Sequence, residues 1–157
     1  MNQVGNRKHS SPRAVLSAGS TSTYTTGIGV NTSNRGKWGV ILTNQTTQAT
    51  PVVDSLTGAA FPVLHKGYGT VVVMGLTAAG AIAACQGTIV PLLDATTYAV
   101  CPQFPPMPED FVPIGYYTIK NSTAGADWTF GAGYWNAGGI TVVAVDCDGA
   151  LPDRPPT

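Results

Sequence analysis

Apolar positions in this chain come in short runs separated by Gly, Pro, Asn and Thr, and no stretch sustains the i, i+3, i+4 recurrence of an amphipathic helix. Trp38-Gly-Val-Ile-Leu-Thr43 predicts a strand that Asn44-Gln-Thr-Thr ends. Thr50–Val53 predicts another, with Pro51 suiting a strand end or edge. Asp54-Ser-Leu-Thr-Gly58 is turn material, a short Ala59–Leu64 segment follows, and Lys66-Gly-Tyr-Gly69 turns the chain into Thr70–Met74. That β-branched run is the clearest buried strand in the sequence. Leu76–Leu93 is ambiguous: Ala78–Cys85 has helical propensity, but Gly75, Gly80 and Gly87 interrupt it and Thr88–Val90 is strand-like. The reading is β, with at most one helical turn.

Thr96–Val100 comes next, then the connector Pro102-Gln-Phe-Pro-Pro-Met-Pro108, held extended by its prolines. Val112–Lys120 predicts a strand, Asn121–Ala126 a turn and Trp128-Thr-Phe130 a short strand running into Gly131-Ala-Gly133. Ala137-Gly-Gly139 predicts a tight turn before a final strand, Ile140–Asp146. Roughly eight short strands at turn-rich spacing predict an all-β domain, a β-sandwich, jelly-roll-like fold or barrel. The expected organisation is an N-terminal arm over residues 1–23, a β domain over 24–148 and a Pro-rich tail over 149–157.

Composition narrows the function classes. The 157 residues suffice for one domain with its own core. Only 10% of them are charged, against about 25% in an ordinary globular protein. Eight basic and eight acidic side chains cancel, leaving no electrostatic drive toward nucleic acid or an anionic membrane. Thr, Ser, Gly and Ala replace the charge, and a surface so made repels neighbouring copies weakly. The polar start of the chain is not followed by the apolar run of a signal peptide, and Val71–Met74 and Ala78–Cys85 are too short to span a bilayer. Three sequons, at Asn31, Asn44 and Asn121, are therefore read as incidental. Cys85, Cys101 and Cys147 lack the paired spacing of a zinc site and are read as reduced, largely buried thiols.

A search for chemistry finds little. His9 sits in the polar arm, and His65 lies beside Lys66 with no carboxylate near it in sequence, so neither has the positioned partner of a general base. Glu109 and Asp110 are adjacent and point opposite ways in an extended segment. Asp146 and Asp148 share a parity, yet two ligands fall well short of the roughly six to eight of a calcium shell. No nucleophile motif or phosphate-cradling loop appears. The expectation is a protein that is not an enzyme and carries no cofactor or metal. Tyr116, Tyr117, Trp128, Phe130, Tyr134 and Trp135 form the densest aromatic group. Alternation puts Trp128 and Phe130 on one face and sends one of Tyr116 and Tyr117 inward and the other outward. Such residues serve a core, a subunit interface or a sugar-stacking surface.

The segment from Pro105 to Asp146 resembles a pattern in structural proteins of tailed bacteriophages. Its marks are Pro105-Pro-Met-Pro108, Val112-Pro-Ile-Gly-Tyr-Tyr-Thr-Ile-Lys-Asn121, Trp128-Thr-Phe-Gly-Ala-Gly133 and Ile140–Asp146. The resemblance implies a capsid decoration (cement) protein: a small β domain, commonly trimeric, bound to the major capsid protein on the outside of the virion and made in the host cytoplasm. Arms that order on binding can cover much surface. Arg7, Lys8 and Arg13 in the arm, with Tyr116, Trp128 and Trp135, are the expected capsid or subunit contacts. The alternatives are a head-fibre or tail receptor-binding protein, or a carbohydrate-binding or adhesin module, using surface aromatics.

Overall fold

The β-branched run around Val71 and the aromatic segment after the proline connector become the two longest strands, paired side by side. A computed structural model describes residues 8–11, 16–19, 22–26, 29–34, 38–43, 45–123, 125–147 and 150–155. In these the strands are β1 (Lys8–Ser11), β2 (Leu16–Ala18), β3 (Thr23–Thr26), β4 (Val30–Asn34), β5 (Trp38–Leu42) and β6 (Gln45–Ala49). They continue with β7 (Tyr68–Thr77), β8 (Ile82–Gln86), β9 (Val90–Pro91), β10 (Phe111–Asn121) and β11 (Ile140–Asp146). The described residues contain no helix, so the Ala-rich stretch resolves as strand β8, and the fold is all-β.

The central sheet is antiparallel in the order β11-β10-β7-β8, with β9 also paired to β7. Residues 69–76 of β7 and 111–119 of β10 are buried without interruption, because both faces of the sheet are covered. One face carries Val72, Met74, Leu76, Tyr117 and Ile119, packed with Phe61, Leu64, Trp128, Phe130 and Trp135. The other carries Val71, Val73, Cys85 and Tyr116, under Phe104 and Met107 of the proline connector and Leu151 near the C-terminus. Burying each such side chain contributes about 1.5–3 kcal/mol, so these two clusters dominate the stability of the domain.

A proline inside a central strand needs an explanation, and the pairing supplies it. Pro113 faces Gly75 and Gly115 faces Met74, so Ile114 is an extra residue bulged out of β10 at the point where the proline has no N–H to donate. Gly75 is required opposite it, because a Cβ there would lie 2.4 Å from the Phe111 ring and 2.6 Å from the Val112 carbonyl oxygen.

The first fifty residues form two further three-stranded sheets, β1-β4-β5 and β2-β3-β6. They share one pairing frame. Lys8 faces Asn34 and Leu16 faces Thr26: eight residues forward along one segment is eight back along the other. Val30 faces Leu42 and Thr23 faces Ala49, seven back against seven forward. The described strands of the two sheets thus keep one register. The half that contains β2 lies beside β11 and β10, with Ala18 against the aromatic face, and the half that contains β1 lies beside β10. In β6 the frame slips between Tyr24 and Thr26, and Thr47 there takes a φ of 53°, a left-handed conformation that a β-branched residue seldom adopts.

Several expectations change. Lys8–Ser11 and Leu16–Ala18, inside the expected arm, are strands, β6 begins in the Asn44-Gln-Thr-Thr segment expected to end a strand, and β3 and β4 lie in Thr- and Ser-rich sequence for which no strand is predicted. The strands expected at Thr50–Val53 and Trp128–Phe130 reduce to the isolated bridges Val53↔Ala60 and Leu64↔Trp128, and Tyr98 makes a further bridge with Leu92. The tail is not wholly exposed: Leu151 is half-buried, and buried Pro155 accepts a contact from Cys101 Sγ at 3.4 Å through its carbonyl.

Candidate functional site

The aromatic group is the densest concentration of chemistry in the chain, and the fold turns it inward. Trp135 stands with its ring centroid 5.0 Å from Tyr117, 5.3 Å from Trp128 and 5.7 Å from Phe130, and Phe61 meets Phe130 edge-on at 4.8 Å. Each polar handle is anchored to backbone. Trp135 Nε1 donates to the Thr23 carbonyl (2.8 Å), Trp128 Nε1 to the Tyr134 carbonyl (3.0 Å) and the Tyr117 hydroxyl to the Ser17 carbonyl (3.0 Å). The loop after Trp128 folds over its ring, and Gly133 allows it: a Cβ there would fall 2.2 Å from Trp128 Nε1. Two of these anchors lie in β2–β3, so the group ties the start of the chain to the central sheet.

Trp128 and Trp135 are each only 4% exposed and Tyr116 2%, so the three aromatics expected as contacts are core residues. Trp128 and Phe130 share a face as alternation requires, and Tyr116 and Tyr117 do point opposite ways. Both are buried, because the outward face is itself covered. A sugar-stacking surface built on Trp128 and Trp135 is not available in this arrangement. Tyr68 and Tyr134 are exposed, at 42% and 57%. Of the expected basic contacts, Arg7 and Arg13 lie outside the described residues. Lys8 is half-buried and donates from Nζ to the Pro108 carbonyl at 2.9 Å, beside Asn34, which donates to the Glu109 carbonyl at 2.7 Å.

His65 does have a carboxylate, contrary to the expectation from sequence. The Leu64↔Trp128 bridge sets its two flanking residues opposite each other, and His65 Nδ1 lies 2.9 Å from Asp127 Oδ1. Both side chains are more than half exposed, at 64% and 62%, so the pair sits in water where such contacts contribute little.

Two buried polar residues that the sequence presented as turn material prove to be structural anchors. Asp54, 4% exposed, accepts from Leu56 N (2.8 Å) on one oxygen and from Gln86 N (3.2 Å) on the other, pinning the 54–59 loop to β8. Asn121 is fully buried and donates from Nδ2 to the Leu64 and Ala126 carbonyls at 3.0 and 2.7 Å. Its sequon is therefore closed to modification in the folded chain, since the amide nitrogen faces inward. The long-range half of each role has no local sequence signal, because Gln86 and Leu64 lie 32 and 57 positions away.

Burial also sets the titration of the core. Cys85 is pushed up to about 12, chiefly by desolvation and secondarily by the Asp54 charge. Tyr98 and Tyr117 are raised well above the usual phenol value by burial. All three cysteines are free thiols, with Cys85 and Cys147 buried and Cys101 half-buried. Asp148, the second residue of the expected acidic pair, lies outside the described residues. Among the described residues no three of His, Cys, Asp and Glu gather closely enough to hold a metal ion. The chain matches no family model, no curated protein and no solved structure.

Proposed function

We propose that the chain is a non-enzymatic structural protein of a tailed-phage particle, bound to the major capsid protein on the outside of the capsid and stabilising it as a decoration protein. The observation that carries this reading is the surface. Ten large hydrophobic side chains lie exposed among the described residues, Leu93 at 73% and Val100 at 62% foremost, on a chain with few charges to keep neighbours apart. Side chains of this kind gain most when covered by another protein. The resemblance of Pro105–Asp146 to phage structural proteins supplies the particle. The internal anchoring of the Trp and Tyr side chains supports a domain that presents a fixed surface rather than a ligand pocket.

A protein that binds the assembled shell and not its free subunits stabilises the shell by mass action. The test is co-sedimentation of the purified chain with emptied capsids of the phage whose genome encodes it, followed by heating. Saturable binding and a raised shell melting temperature are expected. A chain that stays in the supernatant at every concentration overturns the proposal.

A further inference from the structure

Among the described residues the outer edge of β11 has no paired strand, and the hydrogen bonds to β10 fix which of its residues face outward. Cys147 N donates to the Ile114 carbonyl at 3.1 Å and Ser122 N to the Gly139 carbonyl at 2.8 Å, both in the frame that pairs β11 with β10. Hydrogen-bonded pairs alternate along an antiparallel ladder. Thr141, Val143 and Val145 therefore bond to β10, while Val142 and Ala144 direct their N–H and C=O groups away from it. Among the described residues no strand pairs with that edge; β2 lies beside β11 without joining its sheet.

Natural edge strands are guarded by lysine, proline, bulges or shortness. β11 has none of these. It is seven residues long, reads Ile-Thr-Val-Val-Ala-Val-Asp, carries no charge before Asp146 and runs in unbroken register with β10. At its centre Val143 leaves 54% of its surface in water.

We infer that β11 is a self-pairing edge whose occupant is the β11 of a second copy of this chain, antiparallel about a twofold axis through Val143. In that register Val142 of each copy faces Ala144 of the other, so the four N–H groups of these residues in the pair meet their four carbonyls. Val143 faces Val143, Thr141 faces Val145, and no like charges meet. Val143 then occupies a non-hydrogen-bonded position, where facing side chains approach most closely. This pairing depends on the β11 edge alone and not on the phage reading. A contact of this symmetry closes at two copies, which makes the solution unit a dimer in place of the trimer the resemblance implies.

The test is the native mass by light scattering behind a sizing column over a wide concentration range, for the full chain and for Val143→Lys. The wild type is expected near twice the 16.2 kDa chain mass. Val143→Lys, changed at an exposed position and checked for folding by circular dichroism, is expected to fall to the single-chain mass. In a Cys101→Ser background, Val143→Cys is expected to form an intermolecular disulfide under mild oxidation that the background alone does not. A monomer at all concentrations, an oligomer indifferent to Val143→Lys, or the absence of the cross-link overturns the inference.

Discussion

Replacing Trp135 by alanine separates a core role for the aromatic group from a binding role. The side chain is 4% exposed, touches the rings of Tyr117, Trp128 and Phe130, and donates to the Thr23 carbonyl. Deleting a buried tryptophan side chain costs about 3–5 kcal/mol in transfer and cavity terms. The lost hydrogen bond adds about 1 kcal/mol; the Thr23 carbonyl keeps its bond from Gly19 N, so the full penalty of an orphaned acceptor does not apply. For a chain of this length about 2–4 °C of melting temperature goes with each kcal/mol. The expected loss is thus on the order of 10 °C or more. Trp135→Phe keeps a ring in place and loses the donor, and is expected to cost about 1–2 kcal/mol. Urea and thermal melts followed by circular dichroism measure both. A Trp135→Ala melt within about 1 kcal/mol of wild type would refute the packing argument and restore Trp135 as a surface residue.

Other consequences follow from particular contacts. Thr47 is strained at positive φ and its side chain is exposed, so Thr47→Gly is expected to raise stability by about 1 kcal/mol in urea melts, and a loss would contradict the strain. Gly75→Ala forces a methyl into the Phe111 ring and the Val112 carbonyl, and is expected to cost about 1–3 kcal/mol in the same assay; a neutral result would show that the bulge relaxes freely. Native protein treated with a thiol reagent at neutral pH is expected to label Cys101 first and to leave Cys85 unmodified until denaturant is added, which peptide mass mapping reads directly. Tyr98 and Tyr117 have folded-state values raised above the usual 10.0, so the unfolded chain loses these protons first as pH climbs. Their contribution is intact below pH about 10 and is lost above it. A urea midpoint that rises from pH 9 to 11 would contradict that sign.

The central sheet was legible because its residues state it locally. Thr70–Met74, Val112–Lys120 and Ile140–Asp146 are β-branched and aromatic runs bounded by turns, and each falls within a strand, the last with the same ends. In the first fifty residues only Trp38–Thr43 was legible, and it forms β5. Thr, Ser and Gln in β3, β4 and β6 suit a strand as well as a loop, and pairing with neighbours, not composition, decides between them. Thr50–Val53 and Trp128–Phe130 failed in the other direction: apolar residues there serve single bridges between loops. The aromatic group was located correctly, but its burial was hidden, because alternation assumes one wet face and this sheet has none. His65–Asp127, Asp54–Gln86 and Asn121–Leu64 join residues far apart in sequence, and only the fold brings them together.

Localisation on the intact particle tests the proposed role most directly. Antibody raised against the purified chain and tagged with gold is applied to unbroken virions of the phage to which the proposed role assigns the chain, and imaged by electron microscopy. A decoration protein is expected to label the head exterior evenly, without any need to disrupt the particle. Label confined to tails, label that appears only after the heads are opened, or no label at all would contradict a capsid-exterior role.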